Sequence, residues 1–377
     1  MKHLIRNQRW FFAVVLLFLF CYGNAFAVQL ELKSPNGELK ICVDLKDKIF
    51  YNVSYGKDEL LKDCSLQLDL QSESLGANPK LQSKKFSTIN ETITPIIPLK
   101  NAKVNNNCNV LLLNFKNDFS VEFRAYNDGV AYRFITRKKG AVIVMNEDLG
   151  IKFPTPYLAQ LSLIGSFTTS YENLYSHVKT TDYKESDGMT TLPVLLETDK
   201  QYKILISEAD LLDYPCMFLK STGNNGMKSI FPKYPLEFGE NGDRSLKITK
   251  EADYMAKTSG TRSFPWRIFI ITKEDKQLIE NEMVLKLSKS NVLGDVSWVK
   301  PGQVSWDWWN ATFSPYGVDF ESGINTATYK YYIDFASKFE IPYIILDEGW
   351  AKRTQDPFNS NPDLNLTELI KYGKEKK

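Results

Sequence analysis

Residues 341–351 read IPYIILDEGWA, and this stretch decides how the last part of the chain folds. IPYIIL is an unbroken apolar run too short for a helix, which predicts a strand covered on both faces. Asp347, Glu348 and Trp350 follow at its end. Upstream, TATYKYYIDFASKFE carries Tyr329, Tyr332, Ile333, Ala336 and Phe339 at steps of three and four, which predicts an amphipathic helix capped by Asn325 or Thr326. Before that helix, VKPGQVSWDWWN predicts a short strand ending at Trp306, Asp307 and Trp308. Downstream, after a loop, NLTELIKYGKEKK predicts another helix, with Asn365 as cap and Glu368 completing a capping box. The order is strand, helix, strand, loop, helix.

That order places chemistry. In βα units with parallel strands, the loops at the strands' C-terminal ends converge on one face, and functional residues collect there. Trp306, Asp307 and Trp308 end one strand, and Asp347, Glu348 and Trp350 end the next, so the two groups are expected on one rim. Carboxylates accept hydrogen bonds from sugar hydroxyls, and an indole covers the apolar face of a pyranose. The competing reading makes these acids loop caps and the tryptophans core. Asp347 and Glu348 are adjacent, and on a strand their side chains would point to opposite faces. They are expected to bind substrate or fix the loop rather than act as a catalytic pair.

From Val28 to about Asn291 the pattern differs. In LELKSPNGELKICVDL, Leu39, Ile41, Val43 and Leu45 alternate with polar residues, the period of a half-buried strand. Asn36-Gly37 signals a hairpin, as do Asn117-Asp118 and Asp128-Gly129 in VLLLNFKNDFSVEFRAYNDGVAYRFIT. YKILISEADLL and WRIFIIT predict further strands, while LKSTGNNGMKS and EFGENGDRS predict exposed loops. DKQLIENEMVLKLSK predicts one helix closing this region. Many strands, many turns and little helix predict a large β-sandwich over 28–291.

Composition narrows the partners. A net charge of +2 gives no sign of a basic surface built for nucleic acid, and none is expected as a partner. Aromatics at 13% suit aromatic β packing first and sugar stacking second. Lys2, Arg6 and Arg9, the run WFFAVVLLFLFCYG and the small-x-small AFA at 25–27 predict a secretory signal peptide over 1–27, cleaved after Ala27, and no membrane association afterwards. Phenylalanine and leucine before Cys21 argue against a lipid-modified cysteine. Cys42, Cys64, Cys108 and Cys216 then remain, and their spacing selects no pairing. The cleaved chain would keep one histidine, His177, which cannot build an ordinary zinc site.

The motifs VSWDWWN, YIDFASKFEIPYIILDEGW and NPDLNLTELIKYGKEK resemble the opening of the catalytic barrel of glycoside hydrolase family 97. TLPVLLE at 191–197, ISEADLLDYPCMFL at 206–219 and TSGTRSFPWRIFII at 258–271 resemble its N-terminal domain. The resemblance implies an N-terminal β-supersandwich joined to a (β/α)₈ barrel that begins near Val292. It implies a periplasmic enzyme of Bacteroidetes-type bacteria that cleaves α-linked glucose or galactose from oligosaccharides. It also implies an active-site calcium, with Glu197 as the match for the one carboxylate ligand from the N-terminal domain. Glu208, Asp210 and Asp213 resemble a segment of the sandwich that reaches the sugar.

The sequence departs from that family in one respect. A complete barrel takes about 250 residues, and residues 292–377 supply roughly a third of it, enough for about two βα units. The nucleophile or its inverting counterpart, the general acid and the other calcium ligands are expected beyond Lys377, so no catalytic residue is assigned. Hydrolysis needs two carboxyl groups, ~5–5.5 Å apart for retention and ~6.5–9.5 Å for inversion. The expectation is therefore a truncated, inactive form of an α-glucosidase or α-galactosidase, with weak or absent calcium. The alternative is a non-catalytic exported carbohydrate-binding β-sandwich.

Overall fold

The computed structural model describes residues 28–242, 245–308, 315 and 317–376; the expected signal peptide, Trp309 and Asn310 lie outside them. The chain divides into two compact units. Of the described residues, those in 28–94, 100–233 and 253–289 form the first, and those in 95–99, 234–252 and 290–376 form the second.

The first unit is one extended antiparallel β network organised by a single strand, Gly129–Lys152. Its beginning pairs with Phe119–Tyr126 on one side and with Trp266–Thr272 on the other. Its middle pairs with Ala256–Ser263, and its end with Asp58–Leu70 and Gly226–Ile230. The register slips between Ser259 and Thr261. There the chain is kinked by Gly140, at φ +71°, and a Cβ on Gly260 would lie 2.7 Å from the Lys138 carbonyl oxygen. Glycine at both positions lets two backbones meet where the strand bends.

The alternation read from the sequence sets the core. Leu39, Ile41 and Val43 are buried beside Ile49, Tyr51 and Val53 of the next strand. Asn117 and Asp118 both have positive φ, as a two-residue hairpin turn requires. The following turn is Asn127-Asp128 rather than Asp128-Gly129, because Gly129 already pairs with Tyr126. Gly129 is needed for space: a Cβ there would sit 2.4 Å from the Met283 sulfur and 2.6 Å from the Phe269 carbonyl oxygen.

Three expectations change. The closing helix is two short helices, Asp275–Ile279 and Met283–Leu287. Asn281 separates them, because its side chain accepts from the Met283 amide and donates to Asp128. The glycine-rich stretch LKSTGNNGMKS belongs to a hairpin, Phe218–Ser221 with Gly226–Ile230. The described residues of EFGENGDRS likewise belong to a hairpin, Pro235–Asn241 with Ser245–Glu251, in the second unit; Asp243 and Arg244 lie outside the described residues. All four cysteines of the described residues are free thiols.

In the second unit, Val304–Trp306 and Tyr343–Ile345 are parallel, with Trp306 beside Ile345. The Thr326–Lys338 helix connects them, and its Asn325 cap accepts from the Thr328 amide at 2.9 Å. Tyr329, Ile333, Leu364 and Leu369 form a small core. The second strand is not covered on both faces among the described residues, since Tyr343 and Ile345 are each over two-fifths exposed. Residues 351–360 form a small hairpin rather than a plain loop. The last helix, Leu366–Glu375, is capped by Asn365, but Glu368 does not close a capping box. It pairs with Lys330, while the Asn365 amide donates to Thr326.

Candidate functional site

The parallel pair in the second unit brings Trp306, Asp307 and Asp347 together. Trp306 Nε1 donates to Asp347 Oδ2 at 2.8 Å, a bond from one strand end to the next. Asp307 is fully buried, and Tyr329 from the connecting helix donates to its Oδ2 at 2.5 Å. Its Oδ1 is buried with no hydrogen-bond partner. Burial pushes the Asp307 carboxyl above the usual carboxylate range. The Tyr329 hydroxyl opposes this, and the negative charge of Asp347 adds to it. The two aspartates thus interact as like charges while neither has a cationic partner among these bonds.

Asp347 and Glu348 lie past the strand, not on it, since the strand ends at Ile345. Asp347 Oδ1 accepts from the Glu348 amide at 2.7 Å, fixing the turn. Gly349 follows at φ +94°, and a Cβ there would meet Ile324 Cδ1 at 2.4 Å. The opposite-face argument for the two acids therefore does not apply; a turn sets their directions. Glu348 is exposed, and Trp350 is half-buried against the small core. A cavity of about 870 Å³ lies in this unit, but Lys300, Pro342, Tyr343 and Ile370 line it, at the strands' opposite end.

The acids singled out in the first unit have other partners. Arg267 is fully buried and grips Glu147 through two bonds, Nε to Oε1 at 2.7 Å and Nη2 to Oε2 at 2.6 Å. Its Nη1 reaches Glu208 Oε2 at 2.5 Å. Glu208 also accepts from the Met217 amide, and Tyr214 donates to Glu147. Burial raises the Glu208 carboxyl above its usual range, against the pull of Arg267. Asp210 sits at φ +57° and accepts from the Lys289 amide. Asp213 accepts from Thr258, lies 3.7 Å from Arg262 and remains largely exposed. Glu208 and Asp210 thus hold the 206–217 segment in place. The Glu147–Arg267 pair escaped the reading of the sequence, although an arginine inside the apolar run WRIFIIT is a visible signal.

Glu197 ends the strand Val194–Glu197. Lys203 Nζ lies 2.6 Å from its Oε2, and Gln160 donates to its Oε1 at 3.3 Å. The Lys203 bond holds the carboxyl below the usual range. Calcium takes six to eight oxygens. The described residues contain no group of three or more side chains able to hold a metal, and an ammonium occupies the Glu197 carboxylate. These residues do not by themselves fit a calcium ion.

In one chain, then, a large antiparallel β unit is followed by two parallel strands joined by a helix, with indole and carboxylate at their ends. Residues 32–290 match the Glycosyl-hydrolase 97 N-terminal family, and 308–377 match Glycoside hydrolase 97. The chain belongs to glycoside hydrolase family 97. It is 35% identical to a retaining alpha-galactosidase of Bacteroides thetaiotaomicron over 92% of its own length and 54% of that protein's. It is 25% identical to a probable retaining alpha-galactosidase of Streptomyces bingchenggensis over 68% of its length and 36% of the relative's. Among solved structures, a family 97 enzyme of Pseudoalteromonas in complex with acarbose shares the fold, with a TM-score of 0.75 at 21% identity, over 92% of this chain and 53% of that one. A beta-arabinopyranosidase does so with a TM-score of 0.72 at 21% identity, over 92% and 54%. The chain spans between about a third and a half of the length of these curated relatives. Among the described residues, no helix is long and apolar enough to cross a membrane.

Proposed function

We propose that this chain recognises α-linked oligosaccharides as the sandwich and barrel opening of an α-glycoside hydrolase, with α-galactosides as the preferred class. The observation that carries this is the bond from Trp306 to Asp347 across two parallel strand ends, backed by buried Asp307. It supplies an indole edge fixed in place and carboxylate oxygens for hydroxyls. The Bacteroides relative's name supports galactose over glucose. No nucleophile or general acid is assigned among residues 292–377, so the reading concerns binding, with cleavage carried by carboxylates elsewhere in a complete family enzyme. Residues 1–27 support export to the periplasm, which N-terminal sequencing checks by a mature start at Val28. Calcium enters no step here.

The test is titration of the chain with methyl α-galactoside, followed by tryptophan fluorescence, beside release of nitrophenol from nitrophenyl α-galactoside and α-glucoside. Saturable binding that Asp347→Ala weakens about tenfold, with nitrophenol release near background, is expected. Robust turnover abolished by Glu348→Ala would overturn the assignment, because catalysis would then reside in the turn after the second strand.

A further inference from the structure

The first unit carries a polar face on its first three strands, away from the core. On the strands Val28–Lys33, Leu39–Leu45 and Ile49–Tyr55, the residues opposite the core form rows across the sheet. Glu31, Cys42 and Asn52 are successive register partners, as are Lys33, Lys40 and Ser54. Two cavities open on this face. One, of about 320 Å³, is lined by Glu31, Lys33, Phe86, Thr88 and Asn109 among others. The other, of about 490 Å³, is lined by Lys40, Asn52 and Ser54 among others. An ion triad links their linings, with Glu31 3.1 Å from Lys33 and 3.6 Å from Lys40. Both volumes fall in the range of about 300–1,000 Å³ usual for small-molecule sites.

Phe86 singles this face out. It is 51% exposed, and among the residues of described burial on the strands from Gln29 to Lys152 it is the one large apolar side chain left open to solvent. Its groove neighbours are hydrogen-bonding groups held in fixed orientations. Asn109 Nδ2 donates to the Lys33 carbonyl at 2.9 Å, and Thr88 donates to Asn109 Oδ1 at 2.9 Å. The carboxamide keeps one N–H and one lone pair free, and the Glu31 carboxylate keeps lone pairs beyond its two lysines. Glu31 neutralises part of the charge of Lys33 and Lys40, and Phe86 is the one large aromatic side chain lining the two cavities. A ring with one apolar face and hydroxyls around its edge fits both features.

We propose that this face is a carbohydrate-binding site built from first-unit residues, none of them shared with the Trp306–Asp347 pair. One pyranose stacks on Phe86 with its hydroxyls on Asn109, Thr88 and Glu31, and the oligosaccharide continues past Lys40 towards Asn52 and Ser54. The choice of α-linked sugars rests on the functional reading above; the surface itself does not.

The experiment titrates the whole chain with stachyose and with maltoheptaose by calorimetry, for the wild type, Phe86→Ala, Asn109→Ala and Trp306→Ala. Phe86 is a surface side chain, and an unchanged melting temperature confirms that its variant is folded. Phe86→Ala is expected to weaken binding about tenfold, Asn109→Ala to weaken it less, and both to do so whether or not Trp306→Ala has an effect. Loss in Phe86→Ala with none in Trp306→Ala would sustain this site and sink the strand-end reading. Loss in Trp306→Ala alone, or a wild type that binds neither sugar, would overturn this site.

Discussion

The two units treat buried carboxylates in opposite ways. In the first, Glu147 and Glu208 converge on Arg267, and nearly every oxygen has a charged or backbone donor. In the second, Asp307 is closed off from solvent but has only neutral donors, chiefly the Tyr329 hydroxyl, and its Oδ1 lacks a hydrogen-bond partner. A buried carboxylate with a full set of partners is structural glue, because any ligand would have to displace an arginine. One held by neutral donors, with capacity left over, keeps something to offer a hydroxyl. Arg267→Met tests the first half and carries the largest effect. It leaves two buried carboxylates without a cation, which costs about 3–5 kcal/mol. Urea unfolding followed by far-ultraviolet circular dichroism should show this loss in the β unit; a loss below about 1 kcal/mol would place the network among weak surface pairs.

Tyr329→Phe tests the second half. It removes the donor to Asp307 Oδ2 without changing the ring's packing in the small core. One buried acceptor left unpaired costs about 1–3 kcal/mol. Trp298, Trp306, Trp308 and Trp350 lie in the second unit and Trp266 in the first, so tryptophan fluorescence reports chiefly on the second. The fluorescence midpoint in urea should fall while the circular dichroism midpoint holds.

The pH dependence separates the carboxylates by sign. The folded Asp307 carboxyl titrates above its unfolded value, so in that interval the native state binds more protons. Its contribution to stability therefore grows as pH falls from neutrality through the folded value, and levels off below the unfolded one. Glu197 runs the other way: its folded value is lowered by Lys203, so its stabilisation is present above the unfolded value and fades in acid. It is partly exposed, so its share is small. Between pH 7 and 4 the fluorescence-detected melting temperature should decline less in the wild type than in Asp307→Asn. Identical slopes would show that burial does not burden Asp307.

What the sequence revealed follows from the range of the forces involved. The alternation at Leu39, Ile41 and Val43, the caps at Asn325 and Asn365, and the parallel order around IPYIIL are local, and they were legible. The Glu147–Arg267 pair joins residues 120 positions apart, and nothing near either residue names the other. The break at Asn281 was hidden because it depends on Asp128, a distant partner. At the candidate site the residue types could be read, but not their wiring. Tyr329 looked like one more apolar position on a helix, and its hydroxyl turns out to hold Asp307.

The smallest effect is expected at Glu197, which shares a feature with each unit: it is a carboxylate with a cationic partner, at a strand end. An ion that binds only the folded chain stabilises it by RT ln(1 + [L]/Kd), so a weak site leaves the melting temperature where it was. Lys203 Nζ already sits 2.6 Å from Glu197 Oε2, and a divalent cation would have to displace it and still find five or more further oxygens. Millimolar calcium should therefore move the melting temperature of this chain by less than about 1 °C, since a shift of 4–8 °C accompanies about 1 kcal/mol in a small domain and less in a larger one. Lys203→Met removes the competing ammonium and isolates the carboxylate. If calcium then stabilises Lys203→Met but not Lys203→Met with Glu197→Gln, the lysine is what keeps the metal out. If calcium instead raises the wild type by several degrees, and Glu197→Gln abolishes that, the described acids bind the ion despite Lys203, and the contrast between paired and available carboxylates fails at this residue.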